Sequence, residues 1–87
     1  MLDFVLLVMG LHIFDELDFK HKSRLNVGDL LCVYDVIEYN HKIQPFSDED
    51  RESLVEYEDY YFEITKIYPQ TPDRNVDFIV DTKLITK

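Results

Sequence analysis

Apolar runs alternate with charged, turn-forming stretches along this chain, and the spacing within each run predicts its structure. Residues 4–13 are rich in Val, Leu and Phe and carry no helical stripe. They predict a strand buried on both faces, with Gly10 marking a bend or bulge. Residues 15–24 are mixed and charged, which predicts a loop with a helical turn over 15–18. "NVGD", residues 26–29, is turn chemistry ahead of a strand. That strand is predicted over residues 30–39, which are β-branched and aromatic with Asp35 and Glu38 as their only charges. Residues 40–44 are predicted as a loop.

Ser47 is a candidate N-cap, with Asp48, Glu49 and Asp50 in the first turn, where the helix dipole favours negative charge. The helix predicted there is short, because Leu54 and Val55 are its only apolar anchors. From 60 to 68 the pattern alternates: Tyr60, Phe62, Ile64 and Tyr68 face one way, Tyr61, Glu63 and Thr65 the other. "PQTPDRN", residues 69–75, predicts a turn. Residues 76–85 alternate again, with Val76, Phe78, Val80 and Leu84 inward against Asp77, Asp81 and Lys83. The pattern predicts one α+β, strand-dominated domain over 1–87: a small, barrel-like antiparallel sheet of four or more strands with one short helix.

Composition supports a folded domain. At 87 residues the core is thin, yet 46% hydrophobic content excludes a disordered tail, and six Phe and six Tyr build a core without tryptophan. The single cysteine, Cys32, forms no intrachain disulfide, so nothing calls for an oxidising compartment. The apolar N-terminus does not read as a targeting signal. Asp3 stands where a positive region belongs, no small-residue cleavage site follows, and Asp15 and Glu16 close the run short of the ~20 residues a membrane span needs. The expected location is the cytoplasm. Net charge is −9, from eighteen acids against nine bases. That charge opposes direct binding to nucleic acid and to anionic membranes, and favours encounter with basic proteins.

The turn "VGD", the apolar stretch after it and "YYFEITKIYP" together resemble the barrel of PUA-like and ASCH-like domains over residues 27–68. In those domains a Val-Gly-Asp turn opens a core strand, and a later strand carries a V-x-V/I-x-x-I pattern, matched here by Phe62, Ile64 and Ile67. "DFKHKSRLN" stands where the ASCH-like pattern has Gly-x-Lys…Glu. The resemblance implies a small barrel, and a nucleotide or RNA contact through the basic loop at residues 20–24.

Candidate chemistry is sparse. His12, His21, His41 and Cys32 are zinc-ligand types, but no pair has C-x-x-C or H-x(3–5)-H spacing. A structural zinc is the one cofactor they could hold; otherwise none is expected. No nucleophile elbow, phosphate loop or metalloprotease motif is present, so the protein is read as a non-enzyme. The remaining signal is "SDEDRESLVEYEDYYFE", residues 47–63, with eight carboxylates, three tyrosines and one arginine. Tyrosines supply rigid apolar area with a polar tip, and the acids outnumber their local counter-charge.

Asp48, Glu49, Asp50, Glu56, Tyr57, Glu58, Asp59 and Tyr61 are therefore the candidate protein-binding residues. The expected partner is a basic, nucleic-acid-binding surface of a host protein such as a nuclease, with carboxylates standing in for phosphates. Acidic single-domain inhibitors encoded by phages and mobile elements, including anti-CRISPR proteins, resemble this chain in size and charge. A monomer or weak homodimer is expected. Two alternatives stay open: the PUA-like domain binding through residues 20–24, and a subunit of a phage assembly.

Overall fold

A computed structural model describes residues 1–9, 15–68 and 75–86 of the chain. In chain order the elements are β1 (Leu2–Met9), β2 (Glu16–His21), β3 (Leu30–Cys32), α1 (Val33–Ile43), α2 (Asp48–Val55), β4 (Tyr61–Tyr68) and β5 (Phe78–Ile85). The strands form one sheet in the order β2-β1-β5-β4-β3, curled into half a barrel. The strand-dominated α+β class is as the pattern predicts.

Strand alternation gives the sheet one face that the helices cover. Leu17, Leu6, Val80 and Ile67 lie in one cross-strand row, and Leu31, Phe62 and Leu84 in another. Against this face α1 sets Val33, Val36 and Ile37, spaced one helical turn apart, and α2 sets Leu54. Thr82 is the one buried polar residue among those described, and its Oγ1 donates to the Leu7 carbonyl at 3.1 Å. The opposite face carries Val5, Leu7, Ile79 and Tyr68 among charged neighbours.

The structure departs from the sequence pattern in several places, each with a physical reason. Residues 30–39 are not one strand: after Cys32 the chain turns into α1, which runs through the predicted loop at 40–44. The stretch holds both signals, since its β-branched residues suit a strand while Val33, Val36 and Ile37 form a helical stripe with Tyr34 and Asp35 exposed. Asp35 in the first turn and His41 and Lys42 in the last suit the helix dipole. Residues 16–21, expected as loop, form β2. "ELDFKH" alternates, with Leu17 and Phe19 inward against Glu16, Asp18 and Lys20.

The sheet is mixed rather than wholly antiparallel, because the central strand β5 runs parallel to its neighbour β1. Two helices stand where one was expected. A register shift between Ile64 and Lys66 breaks the alternation of β4. Ile67 therefore packs on the core, and Tyr68 falls on the opposite face, beside Ile79. The turn at 26–29 is as predicted: Gly28 takes φ 94°, and the Asp29 side chain accepts the Asn26 N–H at 2.7 Å. Gly10 and most of the predicted turn at 69–75 lie outside the described residues.

Candidate functional site

The acidic stretch starts where the sequence places it. Ser47 Oγ accepts the Asp50 N–H at 3.2 Å, which satisfies one of the donors a helix N-terminus leaves open. Asp48, Glu49 and Asp50 then occupy the first turn of α2. The helix is held by little. Leu54 is buried, but Val55, expected as a second anchor, is 57% exposed. Arg51 supplies a further tie. Its guanidinium reaches α1, donating to Glu38 at 3.2 Å and lying 2.9 Å from His41 Nε2.

After Val55 the chain winds through turns, with Tyr57 N–H on the Leu54 carbonyl, Glu58 N–H on Val55 and Tyr60 N–H on Tyr57. This places Glu56, Glu58 and Asp59 in the exposed link between α2 and β4. Tyr57 is not a free surface ring. It meets Tyr60 edge-on at 5.4 Å between centroids, and both pack against the core. Burial, followed by the hydrogen bond and charge of Glu56, raises the Tyr57 pKa. Tyr61 alternates away from Phe62 and lies opposite Cys32 and Ile85, on the face the helices leave uncovered.

The eight candidate residues thus divide. Six carboxylates lie at the two ends of α2, which is about 12 Å long; Tyr57 is half in the core between them, and Tyr61 belongs to another face. Glu63 pairs with Lys83 at 3.3 Å. The other seven carboxylates of the stretch, Asp48, Glu49, Asp50, Glu52, Glu56, Glu58 and Asp59, form no ion pair among the described residues. Arg51, the one cation among them in sequence, is turned to α1.

The zinc-ligand types are not gathered. Cys32 precedes α1 and His41 sits near its other end, a separation of about 13 Å along the axis. His41 Nδ1 accepts the Phe46 N–H at 3.0 Å, and His21 bonds Ser23. His12 lies outside the described residues, and among the rest no three His, Cys, Asp or Glu side chains are placed to hold a metal. In the basic loop, Lys20 approaches Asp3 at 3.8 Å, and the Arg24 guanidinium lies 5.1 Å from the centre of the Phe78 ring.

A feature absent from the sequence reading is a groove of about 330 Å³ between the start of β2, the end of α1 and the start of α2. Asp50 is its only residue among the eight candidates. Its other lining groups come from distant parts of the chain, so no local motif announces it. Among the described residues, no helix is long and apolar enough to cross a membrane. No family model matches the chain, and neither a curated protein nor a solved structure is significantly similar to it.

Proposed function

We propose that this protein is a non-enzymatic binder that covers a basic, nucleic-acid-binding surface of another protein, in the manner of a phage-encoded inhibitor of a host nuclease. One observation carries the reading: seven carboxylates along α2 and the link to β4 have no ion-pair partner among the described residues, while Arg51 is engaged with Glu38. Such surface carboxylates stay hydrated, and together they give a field that steers basic partners and repels polyanions. Against a Lys- and Arg-lined channel they would take the place of phosphates. The action would be competition, in the cytoplasm of the host cell, by a monomer or weak dimer.

The test is displacement. The protein is used as bait in a host lysate at low and high salt, and each captured protein is assayed for nucleic-acid binding with and without it. Loss of that binding, reversed by salt, is the expected result. The protein alone should shift neither DNA nor RNA at physiological salt. A salt-sensitive affinity for either would overturn the proposal and favour a contact through residues 20–24.

A further inference from the structure

The sheet ends in β2 on one side and β3 on the other, and the two outer strands are treated differently. An outer strand carries a row of backbone N–H and C=O groups with no neighbour, a template for pairing with another chain. On β2 that row is met by a side chain. Asn40 Oδ1 accepts the Asp18 N–H at 3.0 Å, and Nδ2 donates to the Asp18 carbonyl at 2.7 Å, as a neighbouring strand would. Charges at Glu16, Asp18 and Lys20 guard the same strand.

The β3 edge has neither guard. Its residues, Leu30, Leu31 and Cys32, are all uncharged. Its flanks fix which side bonds to β4: the Ile64 N–H donates to the Asp29 carbonyl at 3.0 Å, and the Val33 N–H to the Tyr60 carbonyl at 3.1 Å. Bonding alternates along an antiparallel strand. Asp29, Leu31 and Val33 therefore face β4, and the backbone of Leu30 and Cys32 turns outward. The Cys32 carbonyl stands at the N-cap of α1, which leaves the Leu30 N–H and C=O and the Cys32 N–H at the edge. Among the described residues, no turn or loop backbone bond reaches these groups. The surroundings are apolar, for Leu30 is 50% exposed and Val27 and Tyr34, on either side of β3 in the chain, are exposed too.

We propose that the β3 edge pairs with the β3 edge of a second copy of this chain, antiparallel about a twofold axis at Leu31. Leu30 then lies opposite Cys32 of the second copy. Each Cys32 N–H donates to the Leu30 carbonyl of the other chain, two bonds by symmetry, and the two sheets become one of ten strands. A second copy brings the matching edge itself, uncharged and with the same spacing of donors and acceptors. A basic partner finds no counter-charge on β3. With β2 met by Asn40, the pairing uses the other end of the sheet and closes at two copies instead of running on as a fibre. So short an edge buries less than the ~1,000 Å² of a stable interface, and the dimer is a weak one. The inference does not rest on the binder reading, though a dimer would carry two acidic α2 surfaces.

The test is a concentration series of the full chain, micromolar to millimolar, followed by sedimentation equilibrium and amide NMR. Reducing buffer keeps Cys32 from cross-linking copies. A saturable shift to dimer is expected, with amide shifts at Leu30, Leu31 and Cys32. Added salt should strengthen it, because each copy carries a charge of −9. Cys32→Pro is the decisive variant. Cys32 already has φ −65°, the value proline needs, and its N–H points away from β4, so the fold is kept and the edge donor removed. Self-association should weaken about tenfold or more, since two bonds are lost. Leu30→Lys, which places a charge on the edge, should weaken it as well. Ile43→Lys, an exposed apolar position at the far end of α1, should leave it unchanged.

A chain that stays monomeric at millimolar concentration would overturn the proposal. So would a dimer that a folded Cys32→Pro variant forms equally well, or one that Ile43→Lys abolishes. A monomeric chain whose partner capture is lost in Cys32→Pro would give the edge to a strand of that partner instead. The binder reading stands or falls separately, on the displacement assay.

Discussion

Tyr57 and Tyr68 show how two tyrosines of one chain come to different duties. The Tyr68 hydroxyl donates to Asp81 Oδ2 at 2.7 Å, and Lys66 lies 4.6 Å from the centre of its ring. The hydrogen bond to Asp81, then burial, then the Asp81 charge raise the Tyr68 pKa. The neutral phenol is thus the form that folding favours. Its contribution is complete below the ordinary tyrosine value of about 10 and is lost as pH rises through the higher folded-state value. In alkaline unfolding curves, Tyr68→Phe should flatten the loss of stability above that point, and an unchanged curve would contradict the bond. Tyr57 is different, because it joins Tyr60 at the core edge while touching the acidic link. Tyr57→Ala should lower the melting temperature as well as partner binding. Tyr57→Phe keeps the packing and removes the hydroxyl, so it should retain stability and report on binding alone.

At the scale of elements, α2 is the vulnerable part, since an eight-residue helix is marginal without tertiary support. Leu54→Ala should cost about 2–5 kcal/mol and reduce helical circular dichroism together with partner binding. Ser47→Ala should cost about 1 kcal/mol, read from chemical denaturation. Charge reversal in the first turn opposes the helix dipole, so neutral Asp48→Asn and Glu49→Gln separate binding from stability. The cap, the acids of the first turn and the turn at 26–29 were legible in the sequence because each is a local rule satisfied locally. Residues 30–39 were not. Val33, Val36 and Ile37 satisfy two periodicities, and the choice between them is made by the sheet face that α1 covers. The division of Tyr57 from Tyr61 was hidden for a similar reason, since Tyr57 folds back onto the core before β4 begins, whereas Tyr61 opens β4 and points to its other face. The groove was hidden more deeply, because Asp18, Asn40 and Phe46 meet only after folding.

For the whole molecule, the charge of −9 predicts that partner association slows steeply with added salt while the dissociation rate changes little. Stopped-flow rates across a salt series would check this; a flat series would mean that the unpaired acids do not steer. The parallel pairing of β1 with β5 has a further consequence, in time rather than space. Asp3 and Asp77 are bonded across 74 positions of chain. At a synthesis rate of about 5–20 residues per second, β1 leaves the ribosome roughly 4–15 s before its central partner exists. Until then one edge of β1 has no strand beside it, and Phe4, Leu6 and Val8 lack the Val80 side of their core. During synthesis β1 is therefore the strand most exposed to aggregation, and it is where a chaperone would bind until β5 arrives.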